Sequence, residues 1–235
     1  MNEYLVTSLP ALPEPGGAPP LSPAGFLERL ASSPRAREAA SLVLLERDLR
    51  LRDAWRAGER GHPEPAVLTP AQVRAEAPLA EELAVEPGDR SPRDAADAVW
   101  AAYFRHAAAR AEALPSPLLA AWLRHEVGLR AALARERSQV FGLEATSPAA
   151  ELADEAPALQ ALVGSWSQAP NPLAALRVLD TARLEWVARH EPWFSFSDDE
   201  LVAWAMRLAI LLRWRHLGEA AWRQAGAAPL QGARA

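Results

Sequence analysis

The chain has 235 residues and half of them are hydrophobic, so one large domain or two small ones with a sizeable core are expected. The net charge of −5 and the isoelectric point of about 5.6 argue against a nucleic-acid partner, although all 25 basic residues are arginine. Cysteine is absent, which excludes disulfides, thiolate metal sites and a cysteine nucleophile.

The composition favours helices over a sheet. Alanine and leucine dominate, while isoleucine occurs once, at Ile210, so residues that favour strands are scarce. The N-terminus lacks the pattern of a signal peptide. The most apolar stretch, 201–214, is interrupted by Arg207 and is shorter than the roughly 20 residues that a spanning helix needs. We therefore expect a cytoplasmic all-α protein without direct membrane insertion.

The chain begins with a short β-flavoured run, 4–7, that leads into a segment rich in proline and glycine. Proline favours extended backbone in the residue before it. We predict an extended N-terminal arm over residues 1–21 that lies across the helices and buries Leu5, Leu9 and Leu12.

A recurring dipeptide marks the predicted helix starts. Ser, Thr or Asn caps a free backbone N–H, and the proline after it suits the first helical position. Together with a capping box at 197–200, these signals predict a bundle of roughly eight helices. The dipeptides are Ser22-Pro23, Ser33-Pro34, Thr69-Pro70, Ser91-Pro92, Ser116-Pro117, Ser147-Pro148 and Asn171-Pro172.

The first long helix, 35–58, carries leucines on one face and a dense row of charges on the other. The charged face is interpreted as solvated or as shared with a partner. Residues 59–92 hold six prolines and predict a loop or linker region, with a short helix near 70–84. The chain as a whole, 1–235, is predicted to be a single helical domain.

The later helices show apolar residues at helical spacing. The segment 201–217 is apolar on most sides, which is typical of a central helix that packs in several directions. The spacing predicts that five tryptophans belong to the core: Trp100, Trp122, Trp186, Trp204 and Trp214.

No pattern in the sequence predicts a catalytic, cofactor-binding or metal site. The five histidines form no helical metal motif, and His125 on an apolar stripe is interpreted as a hydrogen-bonded core residue. The acidic run 198–200 is typical of a helix cap, although all-α enzymes also use acidic clusters to bind metal. We expect no enzymatic activity.

An aromatic cluster precedes the last predicted helix. Phe196 is placed as a hydrophobic staple with Leu201, so we expect Phe196 to be buried. Trp193 and Phe194 have two interpretations: they close the corner between two helices, or they face a partner, since tryptophan is favoured at binding hot spots. We predict that Trp193 and Phe194 are at least partly exposed and form an interface.

The opening "YLVTSLPALP…PPLSPAGFLERL" resembles a family of uncharacterised bacterial proteins encoded with V/A-type ATPases. Those proteins are similar to the rotor component C of the V/A-type enzyme, which is the d subunit of the V-type enzyme. The carrying features are Tyr4, the run 8–12, the prolines at 19–20 and the Phe26-Leu27 pair. The stretches 99–144 and 171–217 resemble the middle and C-terminal helices of the family.

The resemblance implies a function without catalysis. The d subunit is an all-helical, funnel-like rotor piece that sits on the membrane ring and receives the central shaft. The implied partners are other V/A-type ATPase subunits, and the implied location is cytoplasmic, peripheral to a membrane complex. Two alternatives remain open from the sequence: a generic helical adaptor or regulator, and an all-α enzyme that uses its acidic helix starts.

Overall fold

The computed structural model describes residues 2–59, 64–85, 91–142, 147, 149–153, 157–215, 221–222 and 225. These residues are 73% helix and include no strand, which confirms the all-α fold. In the described ranges there are nine α-helices: α1 Glu3–Ser8, α2 Pro23–Arg29, α3 Pro34–Arg56, α4 Pro70–Val73, α5 Pro92–Ala113, α6 Pro117–Phe141, α7 Pro157–Ser167, α8 Pro172–His190 and α9 Asp198–Arg215.

Six of the seven proline dipeptides begin helices, namely α2 to α6 and α8. In five of the six, the side chain before the proline accepts a hydrogen bond from the first turn. Ser33 does not cap α3, because its hydroxyl contacts Asp198 at 3.5 Å. The seventh dipeptide includes Pro148, which lies outside the described residues, and the next helix begins at Pro157.

Helix α9 is central, as its apolar pattern predicts. It packs most extensively on α3 and also contacts α6, α8 and α1. Twelve of its side chains are buried, among them Trp214, which has no exposed surface. All five tryptophans assigned to the core are at most 9% exposed. The hydrophobic spacing therefore located the centre of the protein correctly.

The N-terminal segment differs from the extended arm predicted over 1–21. Residues 3–8 form helix α1, and the irregular chain begins only after it. The Thr7 hydroxyl donates to the Glu3 carbonyl at 2.8 Å, a bond between successive helical turns. Leu5, Leu9 and Leu12 are partly buried against the main core. Because α1 packs on α9, tertiary contact overrides the weak strand preference of this short run.

The proline-rich region 59–92 is packed on the protein wherever the structure describes it. Leu68, Val73 and Leu83 are buried in the main core, so these parts form a packed loop rather than a separate linker. The short helix predicted near 70–84 ends at Val73, and a 3₁₀ turn follows at Glu81–Leu83. Pro78 cannot donate a helical hydrogen bond, and Ala75 has a left-handed φ of 60°, so the helix cannot continue.

No helix in the described part of the chain is both long enough and apolar enough to cross a membrane.

Candidate functional site

The corner between α8 and α9 carries the most exposed aromatic side chains outside α1. Trp193 is 69% exposed and Phe194 is 84% exposed, so the prediction that both reach the surface is confirmed. Tyr4 on α1 is also 81% exposed. The helix that carries Tyr4 starts beside the corner, because the Asn2 backbone N–H donates to the Phe196 carbonyl at 3.2 Å. We call Tyr4, Trp193 and Phe194 the aromatic surface.

Hydrogen bonds hold the corner in one conformation. The Glu200 carboxylate accepts from the backbone N–H groups of Ser195 and Phe196 at 2.6 and 2.7 Å. It also accepts from the Ser195 hydroxyl at 2.8 Å. Phe194 and Phe196 have φ values of 55° and 51°, a left-handed conformation that is strained for an aromatic residue. The strain persists because Glu200 and Asn2 fix the surrounding backbone.

The prediction of a buried staple at Phe196 is wrong, since Phe196 is only half-buried. A left-handed residue ahead of a helix directs its side chain differently from the extended residue that a staple uses. Glu200 also departs from the predicted capping box with Ser197. It accepts from the two residues before Ser197 instead, because the left-handed turn brings their N–H groups to its carboxylate.

The other two acids at the start of α9 hold neighbouring segments of the chain. Asp198 accepts from the Asn2 side chain and the Ser33 hydroxyl. Asp199 accepts from Ser116 and from the Leu118 backbone N–H, the latter at 3.2 Å. Each acid therefore stabilises another helix start, and across the described ranges no group of three His, Asp or Glu side chains is placed to hold a metal ion.

A network of buried ion pairs joins α3, α6, α8 and α9, and sequence reasoning missed it. Glu126 is fully buried and accepts from Nε and Nη2 of Arg183 at 2.6 and 3.0 Å. Asp180, also fully buried, accepts from Arg183, from Arg213 and from the Trp214 indole. Burial alone would raise the pKa of Glu126, but Arg183 outweighs it and holds that pKa well below its ordinary value.

The network continues along α3. Glu46 accepts from Arg50 at 2.5 Å and from Arg130 at 3.0 Å. The Arg130 guanidinium also lies 4.1 Å from the centre of the Trp100 ring, a cation–π distance. The interpretation of the charged face of 35–58 as solvated is therefore wrong over this part of the helix. Here the charged face is the surface on which other helices pack.

Asp48 on the same helix holds the chain segment that follows it. Asp48 is fully buried, and its Oδ2 accepts from three consecutive backbone N–H groups, those of residues 66–68, at 2.7 to 3.0 Å. Burial raises the pKa of Asp48, while the three backbone donors and Arg47 lower it. The sequence signal for this contact is weak, because an acid in a row of charges predicts nothing about burial.

His125 packs in an aromatic cluster on α6 and α8. Its ring stacks on Trp186 with the ring centres 5.2 Å apart, and His190 stacks on the same indole at 4.0 Å. The buried Nε2 of His125 has no hydrogen-bond partner among the described residues. The core position was predicted, but this ring nitrogen lacks the hydrogen bond that was expected for it. Burial lowers the pKa of His125 below its ordinary 6.5, with Arg183 contributing and Glu126 opposing.

We expect His125→Phe to weaken the loss of stability in mild acid. Below pH 6.5 the unfolded chain binds a proton at this position that the folded chain excludes, so wild-type stability falls as the pH drops. The variant lacks this proton, so its advantage should grow by up to about 1.4 kcal/mol per pH unit below 6.5. Urea unfolding across pH measures the difference. Curves that stay parallel below pH 6.5 would contradict the prediction.

Comparison with protein-family models, with curated proteins and with solved structures gave no match to this chain. The geometry of the corner is what distinguishes the candidate site. It is a rigid corner with exposed aromatic side chains, supported by helices that buried charges lock together.

Proposed function

We propose that this chain is a non-catalytic structural or coupling component of a bacterial V/A-type ATPase, similar to the d subunit of the V-type enzyme. In this role it links the membrane ring and the central shaft from the cytoplasmic side. The sequence resemblance over 4–30, 99–144 and 171–217 supports the choice of complex. The aromatic surface supports the choice of an interaction protein, and it is the observation that carries the proposal.

The aromatic surface suits a protein contact for two physical reasons. Trp193 and Phe194 expose large apolar side chains, and a buried aromatic side chain contributes much of the energy of an interface. The backbone that presents them is already fixed by Glu200, so binding requires little further ordering. Exposed aromatics in water are unfavourable for a free protein, which is why contiguous exposed apolar patches tend to mark interaction sites.

The buried ion pairs suit a coupling role. Arg183 on α8 binds Glu126 on α6 and Asp180 on its own helix, while Asp180 also binds Arg213 on α9. Sliding one helix along another would separate buried charges, which is costly in a low-dielectric interior. A piece of a rotary machine needs this resistance in order to transmit force between its two contacts.

The test is co-purification with the ATPase subunits from the native host. The double variant Trp193→Ala with Phe194→Asn removes both aromatic side chains, and asparagine tolerates the left-handed backbone at position 194. We expect at least a tenfold loss of recovered subunits, about 1.4 kcal/mol of binding, with a melting temperature close to that of the wild type. The matched control is Val140→Ser, which removes a side chain 64% exposed on α6.

A generic helical adaptor remains the alternative, and the same experiment separates it from the ATPase component. If the aromatic surface captures other proteins and no ATPase subunit, the adaptor is supported and the ATPase assignment is wrong. If the double variant co-purifies with the subunits as well as the wild type does, the interface lies elsewhere on the protein.

A further inference from the structure

A small cavity lies where α3, α6, α8 and α9 cross. Its volume is about 20 Å³, enough for one water-sized occupant, since a cavity of roughly 10 to 15 Å³ accepts one water. Met206, Ala209 and Ile210 form its apolar side. The polar side consists of Glu46, Arg47, Arg50, Trp122, Glu126, Arg183 and Arg213.

The ion-pair network around the cavity has an excess of positive charge. Four guanidinium groups, those of Arg50, Arg130, Arg183 and Arg213, pair with three carboxylates, those of Glu46, Glu126 and Asp180. Arg47 does not alter this balance, because it pairs with Asp48 at 3.1 Å. Within the described residues, the network therefore carries one uncompensated positive charge.

The carboxylates that line the cavity are already engaged with arginines. Glu126 binds Arg183 through both oxygens, and its Oε2 lies 3.7 Å from Arg50. Glu46 binds Arg50 and Arg130. Their negative charges are thus compensated at short range, so the field that remains in the cavity comes from the surplus guanidinium.

Arg213 is the least compensated member of the network. Its counter-charge is Asp180, which Arg183 and the Trp214 indole share. Burial lowers the pKa of Arg213 to about 10; Asp180 opposes this shift, while Arg50 and Arg183 add to it. The direction of this shift agrees with a charged form that lacks a full counter-charge.

A neutral donor is available as well. Trp122 lines the cavity, and its buried indole Nε1 has no acceptor among the residues that the structure describes. An unpaired buried N–H costs free energy, and an occupant with acceptor character would relieve that cost. Arg50 and Arg213 are 32% and 22% exposed, so an occupant has a route from solvent.

We propose that this cavity binds one monovalent anion of the size of chloride, held by the guanidinium groups of Arg50 and Arg213 and the indole N–H of Trp122. The cavity volume excludes phosphate and organic carboxylates. Water would fit the volume but would leave the surplus charge uncompensated. An anion stabilises the crossing of four helices, and it links the stability of the protein to the concentration of halide.

The first test compares sodium salts at equal ionic strength. In chloride or bromide, the melting temperature of the wild type should exceed that in gluconate, whose anion is too large for the cavity. It should rise by about 3 to 6 °C for each tenfold increase in chloride once the site is saturated. Broadening of the chloride nuclear magnetic resonance line on addition of protein reports binding directly.

The second test uses a variant with a matched control. Arg213→Gln removes the surplus charge, while Asp180 keeps Arg183 and Trp214 as partners. This variant should lose the difference between halide and gluconate. Arg207→Gln removes an arginine of the same helix that pairs with Glu191 outside the network, and it should keep the difference.

Crystals of the wild type soaked in bromide provide the decisive measurement. An anomalous peak between Arg50, Arg213 and Trp122 would support the proposal. Identical melting in chloride and gluconate, no line broadening and no anomalous peak would overturn it and assign the cavity to water.

Discussion

Replacing Glu126 with glutamine is expected to lower the free energy of unfolding by about 3 to 5 kcal/mol. The carboxylate is fully buried and binds Arg183 through both oxygens. Without it, the buried Arg183 keeps only the half-share of Asp180 that Arg213 leaves to it. Urea unfolding followed by circular dichroism measures the loss.

Two further variants identify burial of charge as the cause. Glu151→Gln breaks an exposed pair with Arg105 and should change stability little. The double variant Glu126→Leu with Arg183→Met removes both buried charges and should lose less than Glu126→Gln alone. If Glu126→Gln and Glu151→Gln cost the same small amount, the network is solvated and its charges do not lock the helices.

Replacing Asp48 with alanine is expected to lower the free energy of unfolding by about 2 to 4 kcal/mol. Its Oδ2 accepts three backbone N–H groups from residues 66–68, and the substitution leaves them without that acceptor. Since Leu68 is buried, water cannot fully replace the lost bonds. Unfolding in urea gives the size of the effect, and hydrogen exchange should become faster at residues 66–68 before any other part of the chain.

The matched control is Asp53→Ala on the same helix. Asp53 accepts a side-chain hydrogen bond from the Trp100 indole at 2.7 Å, so its loss should cost about 1 kcal/mol. Unchanged exchange at 66–68 in Asp48→Ala would show that the segment after α3 is held by its apolar contacts alone. The comparison thus decides what fixes the proline-rich region to the core.

The aromatic corner and the buried network have complementary parts in the proposed function. Trp193 and Phe194 give the protein a surface that gains energy when it is covered. The pairs around Glu126 and Asp180 keep the helices behind that surface from moving relative to one another. Loss of the first should affect binding and spare stability, whereas loss of the second should affect stability first.

The sequence by itself determined the helical class, most helix starts and the centre of the core. Each of these depends on local chemistry: a cap with proline at the first position, or apolar residues repeated at helical spacing. The starts of α2 to α6 and α8 follow the dipeptides, and Trp214 lies buried on α9 as its spacing predicts. The exposure of Trp193 and Phe194 was also predicted correctly.

The tertiary structure alone decided which charges are buried. A row of Glu and Arg on α3 has the same spacing whether it faces water or a neighbouring helix, so Glu46 and Asp48 could not be distinguished from solvated residues. Their partners, Arg130 and the N–H groups of residues 66–68, come from other segments. Likewise, the left-handed backbone at Phe194 exists because Glu200 and Asn2 hold the corner, and no local preference of phenylalanine predicts it.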